Sequence, residues 1–251
     1  MLLGMLSTVL ELELVTVDFE AIVSLREARV VGWRSVRRPQ TELLAGLPPT
    51  TSERLVALAR EEGREACLER LWQKVSLERV ARFGPREPVL ASMHTAALDA
   101  RWSVAALRAF LRAHHVTTPL VLELPEAHAR AAAEARMGGF GVATSGTSWR
   151  ECKPHWRLVD ATSFLCGEPA RIASETFAFD AQLVVTGVGR GDQLRAIRSA
   201  GGDLVTGPAF GRPRVRPDAS AVPLMPLVAV SERRESLSFG RNYEPEGALS
   251  A

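Results

Sequence analysis

Lysine is nearly missing from this chain: Lys74 and Lys153 are the only ones in 251 residues, and the remaining basic side chains are arginines. With 31 basic against 29 acidic side chains the net charge is +2, so no global field draws the chain to nucleic acid or to a membrane surface. Cysteine is scarce as well. Cys67, Cys152 and Cys166, an odd number at irregular spacing, argue against a disulfide framework and for a reducing compartment, with the cytoplasm as the default. No apolar run approaches the ~18 residues that a helix needs to cross a bilayer. The apolar start, Met1 to Leu10, lacks the basic flank and small-residue cleavage site of a secretory leader.

What is present is an alternation of β-rich and helical segments, on a chain long enough for one large α/β domain or two small ones. Leu2, Leu3, Leu6, Val9 and Leu10, three and four apart, predict a short helix over residues 2 to 14. Leu14 to Ile22 and Arg29 to Val36 flank a charged turn and predict an antiparallel strand pair. After a proline-containing loop, Thr51 or Ser52 can cap a helix over residues 53 to 82, which Gly63 divides into two pieces. Strands are predicted at Pro88 to Met93, Leu120 to Leu124, Phe140 to Thr144 and Trp156 to Asp160. Helices are predicted over residues 103 to 115, 126 to 137 and 168 to 177. Such an alternation points to a parallel-strand barrel or a doubly wound sheet.

The clearest unit runs from Gln182 to Pro213. An apolar run, Leu183 to Val185, leads through Gly187, Gly189 and Gly191 into a helix whose apolar side is Leu194 and Ile197, with Asp192 as its predicted cap. Gly201-Gly202 stops that helix, and a second strand, Asp203 to Thr206, follows at once. In this stretch Gly187, Val188, Gln193, Leu194, Gly202, Gly207, Phe210, Arg212 and Pro213 resemble the last repeat of the EAL domain, the bacterial cyclic di-GMP phosphodiesterase fold. Two glutamates of that repeat are Thr186 and Gly189 here, and its glutamine is Thr206.

The resemblance extends backward. Phe19, Ile22, Val23, Val30, Val31, Gly32 and Arg38 fit the opening of the EAL pattern, although the naming triplet reads Arg34-Ser35-Val36 and the upstream Gln-Pro reads Glu20-Ala21. Leu58 to Gly63, Leu120 to Leu124 with Glu123 and Glu126, and Trp156 to Asp160 continue it, so the match covers residues 10 to 213, about four fifths of the chain. It implies a TIM-like (β/α)8 barrel whose first strand runs antiparallel to the rest, over residues 1 to 213, followed by a flexible, proline-containing tail over 214 to 251. Within that tail the apolar patch Val222 to Val230 can pack back on the barrel or dock on a partner.

Framework residues match while the polar residues of the chemistry do not. Hydrolysis of a phosphodiester in this family uses divalent cations held by carboxylates and an asparagine. At the corresponding positions stand Arg34, Ser92, Ser145, Gly146, Thr186 and Gly189, Leu158 stands where the family has a lysine, and Glu123 is what remains of the oxygen ligands. An arginine about 4 Å from a doubly charged ion repels it by on the order of 8 kcal/mol at an effective dielectric of 20. Arg34 and Glu123 are therefore expected to pair in a pseudo-active site that holds neither metal nor cofactor.

These readings imply a catalytically inactive EAL-like domain that works in signalling or regulation through a protein partner, or as a homodimer, rather than on nucleic acid or a membrane. The alternative is a metal-independent cyclic di-GMP receptor, in which Arg34, Arg38 and Glu123 would meet the ligand; Glu20 counts against it.

Other constellations have simpler readings. Cys152 and His155 have a ligand-like spacing but no second pair to complete a zinc site. His114-His115 suit the negative end of a helix. The spaced glycines 187, 189 and 191 invite a phosphate-cradle reading, yet Asp192 follows where the dinucleotide fingerprint needs glycine. Cys166 and His94 fall near strand ends without a partner that spacing can assign.

Overall fold

The computed structural model describes residues 3 to 43, 49 to 92, 104 to 124, 129 to 145 and 149 to 224. Its strands close into a barrel in sequence order: β1 (Val15–Ser24), β2 (Arg29–Pro39), β3 (Val89–Ser92), β4 (Leu120–Leu124), β5 (Gly141–Thr144), β6 (Trp156–Asp160), β7 (Gln182–Thr186) and β8 (Leu204–Thr206). β1 pairs antiparallel with both β2 and β8, and every other neighbour is parallel. This is the barrel with an antiparallel first strand that the resemblance implies.

The local reasons lie in the sequence. The charged residues between β1 and β2 leave a four-residue turn, and the paired strands set Glu20 opposite Arg34. The parallel strands are covered by side chains on both faces, which is why they read as short apolar runs rather than alternating ones. Inside the barrel Ile22, Leu90, Val121, Ala143, Trp156, Leu158, Val184 and Leu204 form a plug. A larger cluster, including Phe19, Trp33, Phe140 and Phe164, fills the layer between strands and outer helices. A separate cluster ties α1 (Leu3–Glu11) to α2 (Ser52–Glu61) and α3 (Glu65–Phe83), through Leu6, Val9, Leu55 and Trp72, over the start of β1.

The break between α2 and α3 falls where glycine permits it. Thr51 Oγ1 accepts from the Arg54 N–H at 3.3 Å to cap α2, and Gly63 takes φ +66, a left-handed turn that costs a β-carbon-bearing residue about 1 kcal/mol. The other predicted helices appear as α4 (Val104–Ala113), α5 (Ala129–Met137), α8 (Pro169–Ala178) and α9 (Gly191–Ser199). Two short ones are additional: α6 (Trp149–Cys152), and α7 (Ala161–Cys166), which Asp160 Oδ1 caps by accepting from the Thr162 and Ser163 N–H groups at 2.9 and 3.3 Å.

One capping prediction needs correction. Asp192 does not cap α9: it lies within the first turn, 3.1 Å from the Arg190 guanidinium. Gln193 Oε1 instead accepts from the N–H groups of Gly189 and Arg190 at 2.9 and 3.1 Å, because only the longer side chain reaches back to them.

The packed chain also continues past residue 213. Arg214 exchanges both backbone hydrogen bonds with Phe19 at 2.7 and 2.8 Å, Arg79 donates to the Val215 carbonyl at 3.3 Å, and Val222 is buried in the outer cluster. Residues 225 to 251, with most of the apolar patch, lie outside the described residues, as do His94, Glu126 and Gly146.

Candidate functional site

Seven strands run in one direction, so their C-terminal ends meet at one mouth, the position at which barrels of this kind assemble sites from many strands. Two cavities of about 500 and 560 Å³ open there and share Arg34, Glu123 and Ser145. β2 supplies Arg34, β3 supplies Ser92, β4 supplies Glu123, Ser145 follows β5, and Thr186 closes β7. β1 arrives from the opposite direction and adds Glu20.

Glu123 is the centre of this group. The β3–β4 register makes Ser92 and Glu123 direct neighbours, and the Ser92 hydroxyl donates to Glu123 Oε2 at 2.7 Å. Arg34 Nη2 lies 3.8 Å from the same oxygen, an ion pair without a hydrogen bond. One carboxylate oxygen therefore faces a hydroxyl and a guanidinium. Across the mouth Thr206, at the family's glutamine position, donates to Glu20 Oε2 at 2.9 Å. Leu158, at the family's lysine position, is buried in the interior plug. Gly189 contributes its N–H to Gln193, so the glycine loop after β7 spends its donors on its own helix rather than presenting them to a phosphate.

Arg38, which the receptor alternative sets against the ligand, does not line either cavity; its Nε lies 3.1 Å from Asp18 Oδ2. Its neighbour Arg37 does line the first cavity, held by two hydrogen bonds to Glu69 of α3 at 2.7 and 2.6 Å. The one sequence signal for that pair is an acid beside the apolar stripe Leu68, Leu71, Trp72 and Val75, which falls on the inner side of α3.

The wall of the second cavity is cationic and aromatic. Arg157 lies 4.2 Å from the centroid of the Trp149 ring and donates to Thr176 Oγ1 at 3.0 Å. Burial pushes its pKa down, and Glu175, 4.0 Å away, opposes that shift. Glu175 also takes Arg150 at 3.0 Å and Arg171 at 3.2 Å, so a single carboxylate anchors three guanidinium groups.

This donor set does not fit a divalent cation. Hard cations take six or more oxygen ligands, and carboxylates supply the charge. Here Glu123 has two serine hydroxyls, a threonine and a guanidinium around it; Glu20, Asp160 and Glu175 also line the cavities but are engaged by Thr206, by the first turn of α7 and by Arg150, and among the described residues no three His, Cys, Asp or Glu side chains converge on a common point. His155 Nδ1 accepts from the Val142 N–H at 3.0 Å while Cys152 is buried, so that spacing is used for packing. His114 lies against Phe110, with ring centroids 4.2 Å apart.

No protein-family model matches the chain, and no curated protein does. Solved structures do. The FimX EAL domain from Pseudomonas aeruginosa bound to c-di-GMP superposes with a TM-score of 0.72 at 16% identity, covering 87% of this chain and 98% of that one. The Xanthomonas citri FimX EAL domain, also in complex with c-di-GMP, gives 0.70 at 15% identity, with 86% and 95% covered. The Bacillus subtilis YkuI protein, with an EAL domain in complex with substrate c-di-GMP and calcium, gives 0.66 at 15% identity, with 93% and 66% covered. The fold is that of an EAL domain.

Proposed function

We propose that this chain is a regulatory module on the EAL fold that does not hydrolyse cyclic di-GMP and acts by engaging a protein partner, in the cytoplasm. The observation that carries the reading is the Arg34–Glu123 pair at 3.8 Å, with the Ser92 hydroxyl on the same carboxylate oxygen. A guanidinium stands within reach of the one remaining carboxylate ligand, and a divalent ion placed there would meet its positive charge. Without that ion the positions that carry the family's chemistry generate no hydroxide: Ser145, Thr186 and Gly189 offer no group that is basic at neutral pH, and Glu20 and Asp160 are already engaged, by the Thr206 hydroxyl and by the first turn of α7. The degenerate positions Arg34, Ser92, Ser145, Leu158, Thr186, Gly189 and Thr206 are thus read as structural residues of an inactive mouth.

A second reading is metal-independent binding of cyclic di-GMP. It is favoured by the two joined cavities, by Arg34 and Arg150 with side chains 29% and 52% exposed on their walls, and by the bound c-di-GMP of the FimX structures. The committed partners of Arg37, Arg38 and Arg157 count against it, since each would have to give up a carboxylate or hydroxyl to meet a phosphate.

Calorimetric titration with cyclic di-GMP, once with magnesium or calcium and once with chelator, separates these readings. No heat, together with no product after prolonged incubation, supports the partner-binding module. Metal-independent heat that disappears in Arg34→Ala supports the receptor. Metal-dependent turnover would overturn both.

A further inference from the structure

The end of the barrel opposite the mouth carries a groove of about 480 Å³ between α8, α9 and the turn that joins β1 to β2. Its floor is apolar, built from Leu25, Leu183 and Leu204 at the strand ends, and its walls carry Arg26 and Arg198. On its rim stands Phe177, in the last turn of α8, with 84% of its surface exposed. A phenylalanine so placed contributes nothing to the barrel's own core, and covering it would remove a large apolar area from water.

Basic side chains outnumber acidic ones in this groove, two to one. Neither Arg26 nor Arg198 has an ion-pair partner among the described residues. The one acid that lines the groove is oriented by neutral donors: Asp203 Oδ1 accepts from Ser24 Oγ at 3.0 Å and from the Arg26 N–H at 2.8 Å, which leaves its charge in place against the two guanidinium groups. Glu27, in the same turn, is taken by Arg29 at 2.5 Å, and Asp180, in the turn after α8, does not line the groove. Two unpaired guanidinium groups therefore flank an apolar floor beside an exposed aromatic ring.

We propose that this groove docks a partner protein through a short acidic segment that carries one large apolar side chain. The apolar side chain would lie on the floor against Phe177, and the flanking carboxylates would meet Arg26 and Arg198, with guanidinium–carboxylate geometry setting the orientation. The proposal rests on the reading of the chain as an interaction module, but it concerns the opposite end of the barrel from the mouth. Titration with cyclic di-GMP tests one end and peptide binding tests the other, so either can fail alone.

The test pans a displayed library of random short peptides against the immobilised full chain, then measures the enriched peptides in solution by fluorescence anisotropy. Enriched sequences should combine Asp or Glu with Leu, Ile, Phe, Met or Trp. Phe177→Ser should weaken them by about tenfold or more, as expected for an uncovered aromatic. The charge-reversed pair Arg26→Glu with Arg198→Glu should weaken them by about tenfold. All three positions lie on the groove's surface, and retained thermal unfolding of the variants certifies that they fold. Absence of enrichment, enrichment of peptides without acidic residues, or equal binding by the variants overturns the proposal. So does concentration-dependent self-association that Phe177→Ser abolishes, which would make a second copy the occupant. A chain ending at Leu224 that binds peptide more tightly than the full chain would also overturn it, by assigning the groove to the chain's own C-terminal segment.

Discussion

Arg37 and Glu69 meet through two parallel hydrogen bonds of 2.7 and 2.6 Å that join β2 to α3, with the Trp72 ring centroid 5.0 Å from the same guanidinium. The Glu69 side chain is 1% exposed. Removing Arg37 would leave a buried carboxylate without its cation, so Arg37→Ala should cost about 3–5 kcal/mol. Replacing both partners by apolar residues of similar volume, Arg37→Met with Glu69→Leu, should recover most of that loss. Urea denaturation midpoints at constant slope measure it, and a single variant within about 0.5 kcal/mol of the parent would mean that the pair is solvated after all.

The pair at the mouth should behave differently. Arg34 and Glu123 are 3.8 Å apart with side chains 29% and 17% exposed, and Glu123 keeps the Ser92 hydroxyl whether or not Arg34 is present. A double-mutant cycle on Arg34→Ala and Glu123→Gln should give a coupling of about 1 kcal/mol or less. A coupling of several kcal/mol would mark the mouth as a tightly locked site instead of an open one.

Much of the fold was legible in the sequence because backbone signals are local. Gly63 announces the break between α2 and α3, and the charged turn before Arg29 announces the β1–β2 pair. The contact between Arg34 and Glu123 was legible because both lie on strands that open at the same mouth, and the two side chains stand 3.8 Å apart there. The partner of Arg38 was not legible, because nothing local reveals that Asp18, on the neighbouring strand, lies 3.1 Å from it. Arg37 and Glu69 are 32 residues apart, and a contact that depends on how α3 crosses β2 leaves no pattern at either end. The Asp192 cap failed for a different reason: the helix begins one residue before it, at Gly191, and the three-residue reach of Gln193 competes better.

Glu53, at the edge of the first cavity and in the first turn of α2, gives a pH dependence. Its own backbone N–H donates to the carboxylate, with a smaller contribution from Thr51, and together these hold its pKa below the usual value of 4.5. A lowered folded pKa means that the stabilisation is fully present above 4.5 and is lost as pH falls through the lower folded value. The group is largely exposed, so the effect should be only about 0.3 kcal/mol. Melting temperatures of Glu53→Gln and the parent should differ slightly at neutral pH and converge on acidification, and a gap that widened instead would reverse the assignment.

The strand bridge between Phe19 and Arg214 bears on where the folded unit ends. We propose that it runs to residue 224 rather than 213, because Val222 is buried and Leu224 packs against the same cluster. A chain truncated after Pro213 should lose about 1.5–3 kcal/mol, the burial of one aliphatic side chain, relative to one truncated after Leu224. Equal stability of the two would return the boundary to 213.

Gly207 and Gly63 both have positive φ, at +146 and +66, but their surroundings differ. A β-carbon on Gly63 would meet nothing within 4 Å, so Gly63→Ala should cost only the left-handed backbone, about 1 kcal/mol. A β-carbon on Gly207 would lie 2.3 Å from the Val188 nitrogen and 2.5 Å from its oxygen. Both of those atoms are already committed, the nitrogen to the Thr206 carbonyl at 3.0 Å and the oxygen to the Ala209 N–H at 2.9 Å. The loop after β7 cannot yield without giving up hydrogen bonds that hold the rim next to Thr206 and Glu20. Gly207→Ala should therefore cost about 3 kcal/mol or more. Thermal unfolding of the two alanine variants measures how far the crowded, positive-φ site at Gly207 exceeds the open turn at Gly63, and a Gly207→Ala protein as stable as Gly63→Ala would show that the rim is pliable.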